Sequence, residues 1–139
     1  MLLSYKKVTY PELQAFNTVI METKKMGLWE ELRKDFMQND GCPVSATIAI
    51  IGGKWKPIIL YLISHEINRF GEMHNMIQGI SKKMLTGQLR ELERDGIIER
   101  KIFAEIPPRV EYYITEKGKT LRPIILSMRE WGLKHALKP

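Results

Sequence analysis

The segment from Gly79 to Thr115, GISKKMLTGQLRELERDGIIERKIFAEIPPRVEYYIT, restricts the fold of this chain more than any other stretch of it. Ser81 is a good N-cap, and the apolar residues behind it recur at helical spacing as far as Asp95, where Gly96 supplies a stop. Two β-branched and aromatic runs follow, Ile97 to Phe103 and Val110 to Ile114. Pro107-Pro108 lies between them, so they read as the strands of a hairpin. On a helical wheel, Leu85, Leu89 and Leu92 share one face, while Lys83, Thr86, Gly87, Arg90 and Arg94 fall on the other. No acid occurs between Gly79 and Arg90, and Glu91, Glu93 and Asp95 come only toward the end of the helix.

A leucine-backed helix with acid-free first turns, followed by a hairpin, is what a winged helix-turn-helix requires. The helix enters a DNA major groove and the hairpin lies beside it. Lys83 and Arg90 can donate to phosphates or guanine edges, and Thr86 can reach either a base or a phosphate. Gly87 lets the helix come close to a surface, and Lys82 is placed for phosphates. Lys101 and Arg109 flank the hairpin tip, as a wing that touches the DNA backbone or minor groove would need. The competing readings are a solvated amphipathic helix with a basic bias, and a winged helix that serves protein contacts. The acid-free face argues against the second. The expected fold is mainly α with a small β-hairpin wing, a winged helix-turn-helix with an extra N-terminal helical arm.

The remaining segments fit around that motif. In the arm, residues 1–41, Leu13, Phe16, Val19 and Ile20 lie at helical spacing after Tyr10-Pro11. Gly27 interrupts, and Leu28, Trp29, Leu32 and Phe36 continue to about Gln38, before the turn Asn39-Asp40-Gly41. Residues 42–139 then read as the winged helix-turn-helix domain. Cys42-Pro43 opens a helix with proline at its first position, carrying Val44, Ile48 and Ile51, and Gly52-Gly53 ends it. A helix from about Lys54 to Ser64 turns Trp55, Ile58, Ile59 and Leu62 inward. A short extended piece at Asn68–Phe70 precedes a short helix from Gly71 to Ile77, and Gln78-Gly79-Ile80 is the tight turn. One last helix opens at Thr115, with Leu121, Ile124, Ile125, Met128, Trp131 and Leu133 as its apolar side and Pro123 near its first turns.

Charge sharpens the division. The net +6 is carried entirely by residues 42–139, because six bases and six acids cancel in residues 1–41. A basic domain beside a neutral arm favours a polyanionic partner, double-stranded DNA, although a basic solvated surface would give the same count. No apolar run approaches the ~20 residues of a membrane span, and the first residues lack a secretory signal pattern. With one cysteine and so no internal disulfide, the expectation is a cytoplasmic protein. His65, His74 and His135 lack ligand-like spacing, Gly52-Gly53-Lys54 is no phosphate loop, and no nucleophile–base pair stands out. Neither a metal, a cofactor nor an enzymatic activity is expected.

The stretches CPVSATIAIIGGKWKPIIL, RFGEM, GISKKMLTGQLRELERDGIIER and PPRVEYYIT, with Trp131 at the close, resemble the HxlR-type transcription regulators. These are prokaryotic winged-helix proteins of MarR-like architecture. The resemblance implies a homodimer on a pseudo-palindromic operator, with Ser81, Lys83, Thr86 and Arg90 facing the groove. It implies phosphate or minor-groove contacts at Arg69 and Arg109. It also implies a dimer interface built from the first and last helices of the domain, here Val44, Ile48, Leu121, Ile124, Ile125, Met128 and Trp131. The arm is a departure from the family pattern and is expected to pack across the dimer. Cys42 faces the positive end of a helix dipole, which favours thiolate, and the resemblance implies that it senses oxidants or electrophiles. The alternatives are a small packed cysteine in a regulator that answers a non-redox ligand, with a pocket beside Met128 and Trp131 one place for it.

Overall fold

The computed structural model describes Gly27, residues 30–34 and residues 41–138, and the chain divides into two compact units, Met1–Ala46 and Thr47–Pro139. The helix expected from Tyr10, and most of its continuation, lie outside the described residues. Within that continuation residues 30–34 are helical, and the Glu30 N–H donates to the Gly27 carbonyl at 2.8 Å.

Helix α1 spans Pro43–Ile51, and the Ala46 N–H donates to the Cys42 carbonyl at 2.9 Å. Proline fits there because a first-turn N–H has no intrahelical partner to lose. Helix α2, Lys56–Ser64, carries its proline in the first turn and buries Ile59, Leu60, Leu62 and Ile63. Ile58 was expected among these but is 39% exposed, because it falls just outside the buried arc of the helix. The stem of Lys56 is buried in that arc instead. α2 ends in a Schellman turn, with Glu66 N–H to the Ile63 carbonyl and Ile67 N–H to that of Leu62, both at 3.1 Å. Glu66 fills the left-handed position at φ 64°.

Helix α3, Phe70–Met76, leads through a turn at Gly79 into helix α4, Lys82–Arg94. Gly79 has φ +84°, a backbone open to glycine and costly for a β-carbon, and this conformation swings the chain from one helix to the next. α4 starts where expected: the Ser81 side chain accepts from the Met84 N–H at 3.0 Å. Its Leu85, Leu89 and Leu92 are at most 1% exposed, together worth several kcal/mol of burial at ~2 kcal/mol each.

Strands β1, Ile98–Phe103, and β2, Arg109–Ile114, form an antiparallel hairpin in the register Ile98↔Ile114 to Phe103↔Arg109. Alternation places Ile98, Ile114 and Tyr112 on the core side and Glu99, Lys101, Phe103, Arg109, Glu111 and Tyr113 on the other.

The C-terminal segment differs from the single helix expected. It is divided into α5, Glu116–Lys119, and α6, Arg122–Trp131, followed by a π-helical turn over Gly132–Ala136. The Thr115 hydroxyl caps α5 by accepting from the Gly118 N–H and donates to the Gly96 carbonyl at 2.6 Å. Gly118 is packed so tightly on the Ile97 carbonyl that a β-carbon has no room. α6 then restarts with Pro123 in its first turn.

Candidate nucleic-acid interface

The burial of three leucines fixes which face of α4 looks outward. Ser81, Lys82, Lys83, Arg90 and Arg94 are exposed, and Thr86 and Gly87 are half-buried. None of Lys82, Lys83 and Arg90 has an ion-pair partner among the described residues, so their charge is available to an external anion. The Thr86 hydroxyl donates back to the Lys82 carbonyl at 2.8 Å, so it presents a methyl group and acceptor lone pairs outward in place of a donor. A β-carbon at Gly87 would meet nothing within 4 Å, so packing inside the chain does not require glycine there. Glu91 meets Lys56 Nζ at 2.6 Å and ties α4 to α2. That hydrogen bond and the lysine charge hold the Glu91 carboxyl below its ordinary value.

The two wing cations singled out in the sequence, Lys101 and Arg109, are placed differently, since both are engaged. Lys101 lies 3.6 Å from Glu99 and 4.7 Å from the centre of the Tyr113 ring. Arg109 stacks 4.3 Å over Phe103, with Nη1 3.3 Å from Glu105 and Nε 3.1 Å from Glu111. Arg69, just ahead of α3, donates through Nε to the same Glu111 oxygen at 3.3 Å. The other Glu111 oxygen accepts from the Tyr113 hydroxyl. That hydrogen bond first, then the two guanidinium groups, hold the Glu111 carboxyl below its ordinary value, and Glu111 in turn pushes the Tyr113 hydroxyl up. Two arginines expected as separate DNA contacts thus meet at one carboxylate that sequence reading passed over. A period-2 pattern does put Arg109, Glu111 and Tyr113 on one face, but nothing local signals Arg69.

A helix-turn-helix ending in a basic helix, with a hairpin beside it, is now in place. The HxlR-like helix-turn-helix family matches residues 50–138. The chain belongs to the HxlR family. The HTH-type transcriptional regulator YdeP of Bacillus subtilis is 47% identical over 117 residues, 83% of this chain and 87% of that protein. Among solved structures, the oxidised form of the redox regulator HypR superposes with a TM-score of 0.65 at 48% identity, covering 68% of this chain and 97% of that one. Diamide-treated YodB from B. subtilis does so with a TM-score of 0.57 at 32% identity, covering 73% and 100%. This HxlR chain is therefore a transcription regulator with a winged helix-turn-helix rather than an enzyme, and regulators of this family bind DNA.

The other residues singled out in the HxlR sequence are dispersed. Val44 and Ile48 on α1 are 66% and 58% exposed, and Ile124, Met128 and Trp131 line a shallow groove on the outer side of α6. Ile125 was grouped with them for an interface but is only 8% exposed. It faces its own core because α6 packs on α2, and Leu121 is half-buried against the same core. Cys42 is half-buried at the start of α1. His65, His74 and His135 lie near Tyr61, Phe70 and Trp131, each the aromatic four residues earlier. Among the described residues no cluster of three metal-ligating side chains occurs, and no single helix is long and apolar enough to cross a membrane.

Proposed function

We propose that the chain acts as a homodimer on a pseudo-palindromic operator, each α4 entering a major groove and each wing lying on the flanking backbone or minor groove. The observation that carries this reading is the outer face of α4, where Lys82, Lys83 and Arg90 stand exposed, without ion-pair partners among the described residues, above three buried leucines. Ser81, Thr86 and Gly87 complete the groove surface, and Arg69, Lys101 and Arg109 serve the backbone. The dimer forms through Val44, Ile48, Ile124, Met128 and Trp131, whose exposed apolar surface supports a partner there. The arm, residues 1–41, is a separate element that enlarges this interface, and the protein works in the cytoplasm. Cys42 is the oxidant- or electrophile-responsive group. Its place ahead of a nine-residue helix favours thiolate, and the similar chains include the redox regulator HypR and a diamide-treated YodB.

A second reading of control rests on a cleft of about 690 Å³ between α2, the hairpin and α5–α6, lined in part by Tyr61, Tyr112 and Tyr113. That volume lies within the usual range for small-molecule sites, so a non-redox ligand is the alternative effector. One experiment separates these readings: capture of genomic fragments by the wild type and by Cys42→Ser, with and without diamide. Salt-sensitive capture that diamide abolishes in the wild type alone supports both operator binding and sensing. Equal release of both proteins removes Cys42 from the reading, and capture insensitive to salt removes the DNA reading itself.

A further inference from the structure

We infer that Glu111 is a positioning residue for DNA binding, holding Arg69 of the helix-turn-helix and Arg109 of the wing in register so that the two grip adjacent phosphates as one unit. This rests on the DNA reading above and adds to it a residue that contacts no DNA.

Three observations support it. Glu111 is 9% exposed and sits on the outer face of the hairpin, where it collects two guanidinium groups from positions far apart in the chain and one phenol. A buried carboxylate without such partners would be costly, and removing its charge would leave two arginines facing one another. The backbone follows the same connection. Arg69 forms an isolated antiparallel bridge with Glu111, and the Tyr112 N–H donates to the Asn68 carbonyl at 2.9 Å. The segment that starts the helix-turn-helix is therefore laced to β2 at the residue that carries the carboxylate.

The third observation is which atoms are used. Both arginines approach Glu111 through Nε, on a single oxygen, and Arg109 does so off the axis of a hydrogen bond. The terminal amino groups of Arg69 have no partner among the described residues. A guanidinium tethered at Nε keeps outer nitrogens for a phosphate with its orientation already fixed: both of them in Arg69 and, because Glu105 meets Nη1, Nη2 in Arg109. Arg69 remains 49% exposed at the side chain and Arg109 31%, so both can reach solvent while tethered. Glu105, at the half-exposed hairpin tip, also meets Arg109 Nη1 at 3.3 Å, so the cluster is balanced until a phosphate takes the place of that surface carboxylate.

The test is made on the full-length chain with a captured operator fragment, comparing wild type, Glu111→Gln, Glu111→Asp and Arg90→Ala. Hydroxyl-radical footprints and salt titrations are the readouts, with hydrogen exchange at the Tyr112 amide as a check on the bridge. In Glu111→Gln, the protection outside the major groove beneath the wing is expected to be lost while that beneath α4 is kept. The preference for operator over random DNA should fall about tenfold. Binding to random DNA should hold or strengthen with a salt slope steeper by about one, because a negative charge has gone. A merely structural role would instead weaken both protections together and leave the salt slope unchanged. Faster exchange at Tyr112 accompanies the expected outcome. If Glu111→Gln does not melt cooperatively, Glu111→Asp decides: it keeps the charge and shortens the reach, so the wing protection should weaken at an unchanged salt slope. Wing protection and operator preference within twofold of wild type, in whichever variant folds, overturn the inference. Failure of the DNA reading looks different, since the wild type would then give no footprint and Arg90→Ala would change nothing.

Discussion

Gly87 offers a perturbation whose effects on folding and on binding should have opposite signs. It is the sixth residue of the thirteen-residue α4, well inside the helix. Glycine in a helix interior costs roughly 0.5–1 kcal/mol relative to alanine through lost backbone entropy. A β-carbon there would meet nothing within 4 Å, so Gly87→Ala has no steric penalty to set against that gain. The variant should therefore be more stable by nearly 1 kcal/mol, which for a domain of this size raises Tm by about 4 °C. The same methyl group projects from the outward side of the helix, in the turn between Lys83 and Arg90. If that side lies against DNA, the methyl holds the helix away from the groove and weakens hydrogen bonds on either side of it. A tenfold loss of operator affinity, about 1.4 kcal/mol, is the expected scale. Thermal melting by circular dichroism gives the first quantity, and fluorescence anisotropy with labelled operator at fixed salt gives the second. A raised Tm with unchanged affinity would refute the placement of Gly87 against DNA. A lowered Tm would refute the account of the space around it.

Two further outcomes follow from local geometry. Glu66 occupies a left-handed position that closes α2, so Glu66→Gly should stabilise the fold by about 1 kcal/mol, read as a rise in Tm. Glu111 has its folded-state pKa lowered from 4.5, chiefly by the Tyr113 hydroxyl, so its stabilising contribution is complete above the ordinary carboxylate value. It is lost as pH falls through the lowered value. The Tm gap between wild type and Glu111→Gln should accordingly be constant above about pH 5 and close as pH falls below the ordinary carboxylate value of 4.5, whereas a gap independent of pH would contradict the assignment.

The recognition helix could be read from sequence because each of its signals is local. A serine cap, a leucine at every helical turn and a glycine stop occupy one continuous stretch, and the structure puts the ends within a residue of where those signals fall. The C-terminal segment was misread for the opposite reason. Thr115 looks like the start of one long helix, yet its hydroxyl is also bonded across to Gly96, and Gly118 must lie flush on the Ile97 carbonyl. Those tertiary demands end α5 after four residues and let Leu121-Arg122-Pro123 begin a new helix. Ile125 lies in the core because α6 packs on α2, a contact that no local signal announces. Charge pairing was the least legible. Lys56 reads as one more surface cation, and only the fold brings it to Glu91. Arg69 and Arg109 were visible as basic residues near the motif, but their shared carboxylate depends on a bridge between segments 42 residues apart.

Thr115 has a mechanical meaning. Its hydroxyl joins the residue that stops α4 to the residues that launch α5, and Lys117 Nζ adds a bond to the Asp95 carbonyl at 2.9 Å. The far end of the reading helix is thus bolted to α5, the short helix that leads into α6. In a pair of subunits joined through α6, any tilt at the seam would be passed to both reading helices without slack, as a caliper passes the angle of its hinge to its tips. The span between two half-sites would then be a property of the hinge rather than of the residues that touch bases.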